Sequence, residues 1–253
     1  MTDKTALVTG AAHRLGKVFA LALARRGANI AVHYGGSRDA ARRTVEEIAA
    51  LGVRVEPFQA DLAEREAPRE LIDAVVGRFG RLDVLVNSAA SFESAPFAEI
   101  TPDAWERVMA VNLRAPFFLT QAAVARMAEV DRPADQPAAV INVSDLSGVA
   151  AWREYAHHGV SKAGLVHWTR LAARELAPAV RVNALIPGLI LPPPGMDEES
   201  DAWEAMAHGV PLQRSGDPRR LGEAVVFLVE NDFVTGHVLP VDGGELLAGP
   251  VNH

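Results

Sequence analysis

The chain has 253 residues, no Cys and a formal net charge of −7, with 49% apolar residues and only 6% aromatic ones. Without thiols there is no disulfide framework, no thiolate zinc site and no Cys nucleophile. The acidic balance argues against nucleic acid as a partner, no run of about 18 apolar residues is read as a membrane span, and Met1 to Lys4 leave no room for a signal peptide. A cytoplasmic protein with a small-molecule partner is the expectation, with aliphatic packing dominating its core.

Short β-rich apolar runs stand at 5–9, 29–33, 53–58, 84–87, 139–143, 181–186 and 237–241. Helical periodicity marks Leu15 to Arg26, Arg38 to Ala50, Pro68 to Phe79, Pro102 to Met127 and about Glu154 to Ala177. Apolar strands separated by amphipathic helices predict an α/β fold: a Rossmann-type, doubly wound, seven-stranded parallel sheet with helices on both faces. No interior linker interrupts the pattern, so one domain is expected over 1–253. Arg132 to Pro137 reads as a loop before the fifth strand. Leu191 to Ser200, with three prolines and an acidic run, cannot enter a sheet. It reads as a surface loop or a mobile cover within a substrate-loop region of about 189–215.

The first strand runs into TGAAHRLG, Thr9 to Gly16. Gly10 and Gly16, with His13, Arg14 and Leu15, form a turn whose N–H groups approach a pyrophosphate at a helix N-terminus. The second strand ends in His33 and Tyr34, followed by Ser37 and Arg38, where an NAD-preferring fold carries Asp or Glu. Cationic and hydroxyl groups there, with Arg14 nearby, suit a 2′-phosphate and predict NADPH rather than NADH. The third strand ends at Asp61 and Leu62, the fourth at Asn87 to Ala90. Taken alone, Asp61 reads as a helix N-cap.

Together these residues resemble the short-chain dehydrogenase/reductase family, from Thr5 to Gly244. The family pattern TGxxxGxG appears with Arg14 in place of its middle glycine, which resembles the pteridine reductase subgroup. So do His33, Tyr34 and Ser37, and the stretch VNSAASF from Val86 to Phe92. The late pair Pro187 and Gly188 and the VDGG of Val241 to Gly244 also fit. The resemblance implies hydride transfer from NADPH to a C=N or C=O of a small planar substrate, a dihydropterin among the candidates. It implies Asp61 and Leu62 near the adenine, and Asn87 and Ala89 along the ribose and pyrophosphate. It further implies Pro187, Gly188 and Leu189 near the nicotinamide, and Ser91 with a stacking Phe92 at the substrate.

The family's Asn, Ser, Tyr and Lys set maps onto Asn112, Asp145, His158 and Lys162. Lys162, in VSKAG, also holds the cofactor ribose by that resemblance. His158 stands where the family has Tyr, and Asp145 where most relatives have Ser and pteridine reductases have Asp. Ser144 alternates away along its strand. Tyr155 lies seven residues before Lys162, about 10 Å along a helix axis, too far to substitute. Three readings stay open: His158 is the acid; Asp145 protonates the substrate while His158 orients; or the site binds NADPH without turnover, as a structural or regulatory protein. A metal is not expected at His157 and His158, which point about 100° apart with no acidic or His partner at helical spacing. Gly159, Ala163 and Gly164 suggest close approach of another helix, and the resemblance implies a homodimer or homotetramer.

Overall fold

The computed structural model describes residues 1–133, 136–193 and 195–248, so positions 134, 135 and 194 of the two expected loops lie outside the described residues. Seven parallel strands form one Rossmann-type sheet. They are β1 (Thr5–Val8), β2 (Asn29–Tyr34), β3 (Val55–Gln59), β4 (Val84–Asn87), β5 (Ala138–Val143), β6 (Val180–Pro187) and β7 (Val238–Val241). Their order is β3-β2-β1-β4-β5-β6-β7. Strand order reverses at β1 and β4, where chain ends diverge and an α/β ligand crevice opens. Pro57 fits β3 because an edge strand tolerates a missing N–H.

Side chains alternate between two faces. Val8, Ile30, Val32 and Val86 meet α1 (Arg14–Arg25), α2 (Arg38–Ala49) and α8 (Pro218–Glu230) through Phe19, Leu23, Ile48 and Val225. Leu7, Leu85, Val140 and Val182 meet α3 (Ala67–Phe79), α5 (Ala115–Ala128) and α6 (Ala156–Leu176). Burying a Leu, Ile or Phe of this kind favours folding by about 1.5–3 kcal/mol.

Several expectations need correction. The helix expected from Pro102 to Met127 is continuous, but α4 (Pro102–Met109) passes through a π turn over Ala110–Arg114 before α5 begins. Pro116 is the physical reason: it cannot donate to the Asn112 carbonyl, and its ring crowds that carbonyl. A wider turn relieves the clash. The whole helix, 27 residues, is long and apolar enough to cross a membrane, contrary to the expectation of no such segment. Its Leu119, Ala123 and Met127 are buried in the core, as in a core helix. The segment 189–215 is not all loop, because α7 (Asp201–Gly209) forms with Ser200 Oγ capping Trp203 N. Trp203 anchors that helix and is buried. Finally, Gly159 and Gly164 serve close contacts within the chain. A Cβ on Gly164 would meet the Leu113 side chain, and one on Gly159 the Ser147 carbonyl.

Candidate active site

The glycine turn is built by side chains behind it. Thr9 Oγ1 accepts from Ser88 N (2.9 Å) and Ala89 N (3.0 Å), tying the ends of β1 and β4. Gly10, at φ +65°, passes so close to Ala89 that a Cβ would lie 2.9 Å from its Cα. Gly10 N donates to His33 Nδ1 (3.1 Å), which fixes the proton on Nε2, facing the Ala60 carbonyl at 3.1 Å. Ala11 N donates to the His33 carbonyl, and Thr44 Oγ1 to the Ala12 carbonyl. Helix α1 then starts at Arg14 with no side-chain cap. Among the described residues its first N–H groups meet no side-chain acceptor, and the turn beside them leaves no room for a Cβ at Gly10 or Gly16. That arrangement fits the pyrophosphate of a dinucleotide.

His33 was expected beside a cofactor phosphate. Its ring is 2% exposed with both nitrogens engaged inside the protein. Burial lowers its pKa to about 4, against the partial opposition of the Ala60 hydrogen bond and the Asp61 charge. It therefore holds the turn instead of meeting a ligand. Arg14 also departs from expectation: its guanidinium donates to the Pro192 carbonyl (3.0 Å), in the substrate-loop region. The exposed groups beside the β2 end are His13, Ser37 and Arg38, with Ser37 Oγ 3.5 Å from His13 Nε2.

Tyr34 and Leu62 are buried, while Asp61 is exposed and accepts from Ala63 N (2.9 Å) in a local turn. The Asn87 side chain points into the sheet, not along the cofactor path, donating to Asn142 Oδ1 (2.8 Å). Asn142 in turn donates to Thr169 Oγ1. Pro187, the last residue of β6, is buried, and just past it a Cβ on Gly188 would lie 2.5 Å from the Asp242 Cα. Leu189 N donates to the buried Glu245 Oε2 (3.0 Å).

Asn112, Asp145, His158 and Lys162 do come together. The π turn carries Asn112, whose Oδ1 accepts from Ser91 N (2.7 Å) and whose Nδ2 donates to the Ser91 carbonyl (2.9 Å) and Ser161 Oγ (3.1 Å). His158 Nδ1 lies 3.2 Å from Asn112 Nδ2 and 3.1 Å from the Ser91 carbonyl. Neutral, it accepts from the amide; protonated, it donates to the carbonyl. Nε2 donates to Asp145 Oδ2 at 2.6 Å. Asp145 Oδ1 accepts from Ser147 N (2.9 Å) and Ser147 Oγ (2.5 Å). Burial raises the Asp145 carboxyl, but the His158 bond and the Lys162 charge outweigh it and bring it to about 2. Lys162 Nζ donates to the Val143 carbonyl (2.9 Å), and burial lowers its pKa against the opposing charge of Asp145. Ser144 Oγ turns to the Lys162 carbonyl.

Exposure ranks these groups. The His158 side chain is 1% exposed and that of Asp145 20%. Phe92 stands edge-on to His158, centroids 4.8 Å apart, and the Tyr155 ring lies 4.8 Å from Phe92. Trp152 meets Tyr155 at 5.8 Å. Tyr155 thus belongs to the aromatic wall without reaching the position of His158. His157 is buried, His167 is exposed and Trp168 packs on Phe117 at 4.3 Å. The sequence reading missed Thr9, Ser147 and Glu245; of these, only Ser147 had a local cue, an Asp two residues before it.

The loop bearing Ser91 and Phe92 is strapped down by Glu93. Arg107 donates to both its carboxylate oxygens (3.0 Å each), and Ser91 Oγ donates to Oε1 (2.7 Å). The Arg107 and Ser91 bonds, against partial burial, hold the Glu93 carboxyl at about 2. Glu93→Gln is expected to speed hydrogen exchange at the Ser91 amide while barely moving the melting temperature, since the pair is largely exposed. Unchanged exchange there would contradict the strap.

Residues 10–245 match the family described as Enoyl-(Acyl carrier protein) reductase. The chain is 35% identical over 245 residues to the 3-oxoacyl-(acyl-carrier-protein) reductase FabG of Staphylococcus epidermidis, covering 96% of this chain and 98% of that one. It is similar to the structure of FolM alternative dihydrofolate reductase 1 from Brucella canis complexed with NADP, with TM-score 0.88, 31% identity, and coverage of 98% and 96%. It is also similar to a blue fluorescent protein from a metagenomic library in complex with NADPH, with TM-score 0.87, 32% identity, and coverage of 96% and 98%. With its Rossmann-type sheet, its glycine turn and this extent of match, the chain belongs to the short-chain dehydrogenase/reductase family of oxidoreductases.

Proposed function

We propose that this protein is an NADPH-dependent reductase of a C=N bond in a small planar substrate. The 2.6 Å bond between His158 and the more exposed Asp145 carries that reading. Bound NADPH supplies the hydride. The glycine turn and the uncapped start of α1 receive the pyrophosphate, and His13, Ser37 and Arg38 meet the 2′-phosphate. Lys162 keeps Asp145 ionised from the buried side. Phe92 stacks the substrate. Asp145 faces the substrate nitrogen as an ionised acceptor, and His158 orients that carboxylate through Nε2. The FolM neighbour, named a dihydrofolate reductase, supports a C=N acceptor. The exposed Phe118, Val160 and Leu171 on α5 and α6 support pairing of copies into a dimer or tetramer.

The test is NADPH oxidation against dihydropterins, cyclic imines, quinones and small ketones. C=N substrates should be consumed, and Asp145→Asn should lose about a hundredfold in rate. Ketones reduced faster than every C=N compound would overturn the substrate class. If the native protein binds NADPH without oxidising it and His158→Tyr turns over, it is a binding protein instead.

A further inference from the structure

We infer that the substrate enters the site as a cation, an iminium or protonated N-heterocycle, with Asp145 as its counter-ion and Phe92, Tyr155 and Trp152 as its aromatic wall. This rests on the C=N reading above and narrows it.

The first argument is the supply of hydrogen-bond donors. Reduction of a ketone builds negative charge on oxygen and needs a donor aimed at it. The serine hydroxyls around the site are committed elsewhere. Ser91 Oγ donates to Glu93, Ser144 Oγ to the Lys162 carbonyl, Ser147 Oγ to Asp145 and Ser161 Oγ to the His158 carbonyl. His158 Nε2 points at Asp145. An alkoxide forming here would face a carboxylate.

The second argument is the carboxylate itself. Asp145 is fixed by three protein donors, Ser147 N, Ser147 Oγ and His158 Nε2. A carboxylate offers about four lone-pair sites, so one remains for an N–H donor. Lys162 does not compete for it, being 3% exposed with Nζ on the Val143 carbonyl. The rings of Phe92, Tyr155 and Trp152 pack in succession beside it, and Phe92 is 54% exposed. An aromatic wall beside a fixed negative charge favours an organic cation over a neutral isostere.

The third argument is the balance of the reaction. Hydride adds to the iminium carbon, a C–H bond forms, and the C=N π pair moves onto nitrogen. The cation becomes a neutral amine while NADPH becomes NADP+, and no proton is transferred. A substrate that brings its own positive charge needs no phenol donor. Replacement of Tyr by His and of Ser by Asp is what such a substrate permits.

The test is calorimetric titration of the full chain, with and without NADP+, using 3,4-dihydroisoquinoline in its protonated form, which carries an N–H, and a neutral bicyclic ketone of similar size, tetralone. The iminium should bind at least about tenfold more tightly, equivalent to 1.4 kcal/mol. Asp145→Asn should abolish that preference. Phe92→Leu should weaken the iminium more than tetralone. Equal affinity of the native protein for the two ligands overturns the proposal, whether or not the Asn variant folds, as does an Asn variant that keeps the preference. Tight iminium binding without NADPH consumption supports the counter-ion and overturns the reductase reading. NADPH consumption with tetralone alone overturns both the counter-ion and the C=N substrate class, and leaves a ketone reductase.

Discussion

Lowering the pH from 6.5 to 4 is expected to remove about 3 kcal/mol of folding stability through His33 alone, and His33→Gln to flatten that slope. The ordinary His value is 6.5, and burial lowers His33 to about 4 in the folded protein. Between those values the unfolded chain takes up a proton that the folded chain refuses. Stability is therefore full above the unfolded value and falls as the pH drops toward the folded one. Protonation of Nδ1 removes the acceptor for Gly10 N and places a charge in the core. Asp145 acts in a separate, lower window. Its carboxyl is held at about 2, below the ordinary 3.8, so its contribution stands above 3.8 and is lost as the pH falls through 2. Urea unfolding at stepped pH separates the two. A native protein with flat stability from 6.5 to 4, or a Gln variant with the native slope, would defeat the assignment. Because His33 holds the glycine turn, NADPH affinity should fall over the same interval.

His33 also shows where sequence stops being informative. Its position at the end of β2 was readable from alternating apolar runs, because strand and helix periods are local. Whether its ring faces solvent or core depends on β3 and the glycine turn, elements 23 and 27 residues away. Residue type suggested a phosphate ligand; the surroundings make a turn support. Asn87 repeats the lesson, since only the register of β4 against β5 pairs it with Asn142. Asn112, Asp145, His158 and Lys162 could be located by spacing because they lie on a strand end and helices of fixed geometry. The π turn under Asn112 was present in the sequence as Pro116, a helix breaker inside a helical pattern. Helix α7 was signalled by Ser200 and by acidic residues in its first turn, but the prolines before it dominated the reading.

Gly16→Ala should weaken NADPH binding by about tenfold to a hundredfold and lower stability, although alanine is the better helix former. A Cβ at this position would lie 2.2 Å from the Gly10 carbonyl oxygen and 2.7 Å from its carbon. Both are backbone atoms of a turn whose N–H groups are tied to His33, so no flexible side chain can swing aside. Overpacking of this kind costs about 1–3 kcal/mol. Displacing the N–H groups that would receive the pyrophosphate costs a factor of ten in affinity for each 1.4 kcal/mol. Gly77→Ala in α3 is the matched control. A Cβ there meets nothing within 4 Å, so only helix propensity acts, and stability should rise by up to about 1 kcal/mol. Thermal unfolding of the two variants gives opposite signs, and only Gly16→Ala loses NADPH affinity, if close approach, and not flexibility, is what Gly16 provides. A Gly16→Ala protein that binds NADPH like the native chain would show that the turn yields, and that the cofactor is held elsewhere.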